Sequence, residues 1–156
     1  MVQLVPMTPG EFDVFLEHGI QEYAQDRLRA GFWTETESLA RSRKEHRALL
    51  PDGIKSRYHH FYTIRDSETG NAVGILWLKT DLDSSRGSGY IFDLEIHAPF
   101  RRKGYARQAM LELENVARGM GLRQLGLHVF AFNEGARLLY EGLGYSVASV
   151  NMLKDL

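Results

Sequence analysis

The sequence predicts an α/β fold of the α+β type: a mixed, mostly antiparallel sheet with one splayed parallel strand pair and helices on both faces. Three observations carry this. Segments of period-two and period-3.6 hydrophobicity follow one another in the order β-α-α-β-β-β-α-β-α-β. Only the strands starting near Tyr90 and Gln124 are joined by a helical crossover, so only they are forced parallel. A break at Ala98-Pro99 then stops the first of these strands from bonding to its parallel neighbour, which splays the pair. With 156 residues and 44% hydrophobic content the chain can bury one substantial core, and a single domain over residues 1–156 is expected.

Val2 to Pro6 alternates weakly and suits an edge strand. Thr8-Pro9 opens a helix with proline in its first turn, and Phe12, Phe15, Leu16, Ile20, Tyr23, Ala24 and Leu28 recur on one face of it. Thr34 and Glu37 form a capping-box signature for a second helix that ends near Leu50-Pro51-Asp52-Gly53. Its apolar stripe is thin, so it should lie over another element as a lid or wall, or be a solvated surface helix. His59 to Arg65 and Ala72 to Lys79 read as a strand pair around the turn Asp66 to Asn71. Asp81 to Gly89 reads as a loop, and Tyr90 to His97 as the next strand. Ala106, Ala109, Met110, Leu113, Val116, Ala117 and Met120 mark the most regular helix, closed by Gly119 and Gly121. Gln124 to Phe132 follows as a strand, Asn133 caps a short helix, and Tyr145 to Leu153 reads as a closing strand.

Composition excludes several classes of function. There is no cysteine, which removes disulfides, thiolate metal sites and a cysteine nucleophile. A net charge of −1 supplies no global field to attract nucleic acid or an anionic membrane. The N-terminal residues lack a secretory pattern and no apolar run is long enough to cross a bilayer, so a soluble, cytoplasmic protein is expected. His59-His60 and His128 lack the spacing of metal ligands, and no metal site is expected. His59, His60 and Tyr62 would touch a substrate only if their strand borders a cleft.

Chemistry concentrates in Tyr90 to Tyr105, where a strand passes through the basic turn Arg101-Arg102-Lys103-Gly104 into a helix. Such a turn aims main-chain N–H groups and a positive helix end at one point, which favours phosphate. Gly104 lets the main chain approach a pyrophosphate, Ala106 avoids a clash at the helix start, and the arginines add charge at the rim. The turn fits the pattern Arg/Gln-x-x-Gly-x-Gly/Ala. Downstream, Asn133, Ala136, Leu139, Tyr140, Gly144 and Tyr145 fit Asn-x-x-Ala-x-x-Leu-Tyr-x-x-x-Gly-Phe/Tyr.

In this order and separation the two motifs resemble the GNAT superfamily of acyl-CoA-dependent N-acyltransferases, and the likeness in element order runs from Leu4 to Leu153. The resemblance implies acetyl-CoA as acyl donor and direct attack by an amine, free or on a peptide, in a ternary complex. It implies that Ile96, His97 and Ala98 pair with the pantetheine arm, and that Arg101, Arg102, Lys103, Gly104, Tyr105 and Ala106 cradle the pyrophosphate. Asn133 would steady the thiol arm, and Tyr140 would point its hydroxyl at the sulfur. A homodimer using the terminal strand would also be in keeping with it.

Transfer from a thioester to an amine needs a neutral nucleophile, a donor to the oxyanion and an acid for the leaving thiolate. The Ile96 N–H or its neighbour is the oxyanion candidate, and Tyr140 the acid. An alkyl amine has a pKa of about 10.4, so its proton must be accepted as it reacts. Asp93 and Glu95, two apart on a strand and hence on one face, are the base candidates. Counting back from Arg101, Tyr90 stands where protein-lysine-acetylating relatives carry a glutamate, while Phe92 stands at a position used by polyamine-type relatives. The alternatives are a noncatalytic acyl-CoA-binding or protein-interaction module on the same fold, and a nucleotide-binding domain using the basic turn as its phosphate loop. The latter lacks the Gly-rich Lys-Ser/Thr turn after a first strand.

Overall fold

The computed structural model describes residues 1–81 and 87–156, so residues 82–86 of the expected Asp81–Gly89 loop lie outside the described residues. Five strands form one sheet: β1 (Val2–Pro6), β2 (His59–Asp66), β3 (Ala72–Asp81), β4 (Ser88–Ile96) and β5 (Gln124–Leu127), side by side in that order. The pairs β1–β2, β2–β3 and β3–β4 are antiparallel. β4 and β5 form the parallel pair, as the crossover requires. By internal packing the chain divides into two compact units, Met1–Gly126 and Leu127–Leu156.

In the first unit, helix α1 (Pro9–Arg29) starts at Thr8 with a complete capping box: the Thr8 hydroxyl accepts from the Glu11 N–H while the Glu11 carboxylate accepts from the Thr8 N–H. Phe12 and Phe15 from α1 join Met7, Leu50, Phe61 and Trp77 in a buried aromatic cluster on one face of the sheet. The alternate strand positions Ile64, Leu76 and Leu78 are fully buried on the other face. Helix α3 (Tyr105–Gly119) packs on β1 and β4 and buries Ala109, Met110, Leu113 and Ala117. Gly74 is required by a close approach: a Cβ there would stand 2.2 Å from the Glu95 carbonyl oxygen.

Helix α2 (Ser38–Leu49) begins later than the Thr34 signature predicts. The Glu37 carboxylate does reach back to the Thr34 N–H at 3.2 Å, but the Thr34 hydroxyl turns to Thr36, so only half of the box forms. The helix docks on α1 through small polar groups rather than an apolar stripe. Buried Ser42 donates to the Ile20 carbonyl at 2.7 Å, and Arg43 grips Glu17 with two bonds of 2.9 Å.

The second unit differs most from expectation. β5 stops at Leu127, although the alternation predicts a strand as far as Phe132. His128, Phe130 and Phe132 pack on one another at two-residue spacing, which accounts for the pattern without a hydrogen-bonded ladder. Helix α4 (Glu134–Gly142) is capped as expected by Asn133, whose side-chain oxygen accepts from the Ala136 N–H at 3.4 Å. The closing strand over Tyr145 to Leu153 is not formed, and residues 145–156 have no regular secondary structure. Val147, Val150, Met152 and Leu153 are exposed, and their spacing defines no single face that burial could hold in register.

Candidate active site

The basic turn leaves β4 through a short 3₁₀ turn, Ala98–Phe100, and enters α3 at Gly104. Gly104 has φ +83°, left-handed backbone that favours glycine, and Arg102 shares that region at φ 62°. No side chain caps α3, so its first N–H groups point outward with the positive end of the helix dipole. Arg101, Arg102, Lys103 and Gly104 are exposed and Ala106 is half-buried. Tyr105 is anchored: its hydroxyl donates to Asp66 at the end of β2 at 2.5 Å, tying the start of α3 to the sheet. That bond pulls the Asp66 carboxyl below its ordinary range and pushes the Tyr105 hydroxyl above its own.

At the other end of the turn, β4 runs beyond the cover of β5. Gly126 of β5 lies against Tyr90, near the start of β4, and β5 ends one residue later, whereas β4 continues to Ile96. The β3–β4 register passes from Trp77↔Asp93 to Leu78↔Ile91, so Phe92 is the extra residue of a bulge. The His97 N–H donates to Val73 on β3, and by alternation the Ile96 N–H and carbonyl face the opposite edge. There the Arg101 guanidinium takes the Ile96 carbonyl at 2.9 Å. Arg101 thus turns back onto the strand it follows.

A cavity of about 570 Å³ opens between α1 and the sheet. Strand β4 contributes Asp93 and Glu95, with His97 just past its end, α1 contributes Glu11, Val14, Phe15 and His18, and Thr63, Ala72 and Ile75 come from β2 and β3. The two base candidates therefore do share a face and enter one cavity. Their surroundings differ. Glu95 lies 3.8 Å from both Arg101 and His18, and His18 lies 3.2 Å from Glu22. Asp93 makes no ion pair among the described residues, and burial, reinforced by the like charges of Glu95 and Glu22, pushes its carboxyl up to about 6. Glu11 is fully engaged, accepting from Thr63 and Arg65, and its carboxyl is held below the ordinary range chiefly by the Thr63 bond.

His59, His60 and Tyr62 do not line this cavity. His59 accepts from the Trp77 indole at 3.0 Å, and His60 pairs with Thr80 at 3.2 Å; burial lowers both pKa values. His59 faces the aromatic cluster and does not line the cavity. Helix α2 contributes nothing to its lining either. The residues that sequence reasoning missed are on α1: Glu11, Val14, His18 and Glu22 form a second stripe at three- and four-residue spacing beside the buried aromatic one. In the second unit, Asn133 spends its side-chain oxygen on the α4 cap, and the half-buried Tyr140 ring packs edge-on against Tyr145 at 6.0 Å.

A mixed five-stranded sheet, an uncapped helix start after a basic turn and an acidic cavity beside the same strand define an acyltransferase of the GNAT class. The profile of the acetyltransferase (GNAT) family matches residues 21–145, and the chain belongs to that family. It is 36% identical to YycN of Bacillus subtilis over 99% of each chain, and 35% identical to YdgE of the same organism over 98% of this chain and 97% of that one. Both relatives are named as uncharacterized N-acetyltransferases. The crystal structure of YycN superposes with a TM-score of 0.88, covering 100% of this chain and 99% of that one. A solved structure from Pyrococcus furiosus, 21% identical, covers 100% of both chains at a TM-score of 0.64 and shares the fold. Members of the family in general use acetyl-CoA as donor and amines as acceptors. Among the described residues no helix is long and apolar enough to cross a membrane.

Proposed function

We propose that residues 1–156 act as one catalytic domain that moves an acetyl group from acetyl-CoA to a primary amine by direct attack in a ternary complex. The observation that carries this reading is the junction at β4: one strand presents an open main-chain edge and the phosphate-type turn on one side, and Asp93 in a cavity on the other. The residues present fit the donor. The uncapped start of α3 offers N–H groups to a pyrophosphate, with Arg102 and Lys103 as flanking charges. Of the Ile96 to Ala98 edge, the Ile96 carbonyl can meet an amide of a pantetheine arm once Arg101 releases it, while the His97 N–H and carbonyl and the Ala98 carbonyl are bonded to Val73, Phe100 and Arg101. Bound acetyl-CoA supplies the activated thioester.

Asp93 then takes the proton of the incoming ammonium, directly or through one water, as the base. With a carboxyl near 6, Asp93 is ionised at neutral pH yet more basic than an ordinary aspartate. The Ile96 N–H donates to the oxygen that gains charge as the C–N bond forms. Tyr140 gives its proton to the thiolate when the C–S bond breaks, and the second proton of the attacking nitrogen, shed as the amide forms, restores the Tyr140 hydroxyl; this role rests on its place in the Asn133–Tyr145 pattern. Glu95, held by Arg101 and His18, steadies the edge of the cavity.

Calorimetry with acetyl-CoA, followed by an amine screen for free CoA, tests the reading. Absence of acetyl-CoA binding removes it, and binding without turnover on any amine leaves a noncatalytic acyl-CoA-binding module. Tyr140→Phe should lower kcat with acetyl-CoA affinity nearly unchanged; an unaltered kcat rejects the acid role.

A further inference from the structure

Resting on the acetyl-transfer reading, we infer that the acceptor is a small primary monoamine carried on an apolar body, such as a short alkyl or arylalkyl amine, with its nitrogen at Asp93. The charge inventory of the cavity leads there. Three carboxylates line it, and two are already compensated. Glu11 is matched by Arg65 at 3.0 Å, and Glu95 by Arg101 and His18. Asp93 is then the lining carboxylate that has no ion pair among the described residues, and it is the position the cavity offers to a cation.

The rest of the wall sets the body of the substrate. Met7, Val14, Phe15, Ala72 and Ile75 are apolar, and Gly10 has nothing within 4 Å of where a Cβ would stand, which leaves room beside α1. The Thr63 hydroxyl is spent on Glu11 at 2.5 Å, and His18 is engaged by Glu22. Apart from Asp93, His97 is the one polar lining side chain with no side-chain bond among the described residues, so most hydroxyls of a polyhydroxylated amine would face apolar groups, and a second ammonium would meet carboxylates already paired. At about 570 Å³ the cavity is in the range of small-molecule sites. Val14, 73% exposed on α1, places an apolar group at the rim where a longer body would emerge.

The test is steady-state CoA release at saturating acetyl-CoA with hexylamine, 2-phenylethylamine, 1,6-diaminohexane and glucosamine. Either monoamine should exceed the diamine and the amino sugar in kcat/KM by about tenfold or more. Val14→Glu adds a second anionic position at the rim, and should raise diaminohexane relative to hexylamine by about tenfold with acetyl-CoA affinity and melting temperature unchanged. A diamine or amino sugar that equals the monoamines overturns the inference, as does a Val14→Glu variant with an unchanged diamine ratio. No turnover of these four amines by a protein that binds acetyl-CoA also overturns it and leaves the donor site standing. No acetyl-CoA binding removes the transfer reading itself.

Discussion

The basic turn and the cavity under α1 share strand β4 but are made of different materials. The turn works through main chain: a left-handed glycine, an uncapped helix start and a strand edge whose N–H and carbonyl point away from the sheet. The cavity works through side chains from α1, β2, β3 and β4, and its character depends on which carboxylates are already neutralised. A site of the first kind is set by backbone conformation, which a few neighbouring residues determine. A site of the second kind is set by the balance of charge and desolvation among residues distant in sequence.

That contrast can be broken most severely at Asp93. Asp93→Asn should lower kcat/KM for the amine by roughly 10²- to 10⁴-fold, the usual scale of general base catalysis, while calorimetric acetyl-CoA affinity stays the same. Equal loss of both would mean that the two regions are not separable. The reciprocal change is Gly104→Val. Left-handed backbone costs a non-glycine residue about 1–2 kcal/mol, so acetyl-CoA affinity should fall by about tenfold or more, with amine KM at saturating donor little altered.

The pH dependence sharpens the contrast further, because activity and stability should move in opposite directions. Activity needs Asp93 ionised, so kcat/KM should fall about tenfold per pH unit below 6 and level off above it. Stability follows the other sign. The folded-state value of about 6 lies above the ordinary 3.8, so the folded protein binds this proton more tightly than the unfolded chain. The contribution of Asp93 is most favourable below 3.8 and declines as pH rises to about 6, by on the order of 3 kcal/mol. Denaturation at pH 8 should then find Asp93→Asn more stable than the parent; a variant of equal or lower stability argues against a desolvated carboxylate. The smallest effect is expected at Tyr105→Phe. Losing the bond to Asp66 should lower the melting temperature by a few degrees and weaken acetyl-CoA binding modestly, with kcat unchanged at saturating donor.

Much of this could be read from residues in sequence. The strand–turn–helix at Tyr90 to Tyr105, the Asn133 cap, the aromatic face of α1 and the parallel pair all depend on short-range periodicity or on single residues with special backbone preferences. The common face of Asp93 and Glu95 follows from strand geometry alone, since side chains two apart point the same way. Where local pattern misled, a tertiary condition was missing. The alternation of His128, Phe130 and Phe132 was satisfied by contacts among the rings themselves, and the scattered apolar residues after Tyr145 had no common face to bury.

The family, the order of elements and the turn at Gly104 follow from contiguous residues and from φ/ψ choices that each residue carries with it. Three-dimensional packing is what pairs Glu11 with Arg65 and Glu95 with Arg101, makes α1 rather than α2 the wall of the cavity, and leaves Asp93 as its unpaired carboxylate among the described residues. Charge compensation and desolvation act through space over a few ångströms. Which side chains come within that distance is settled by packing, not by proximity along the chain.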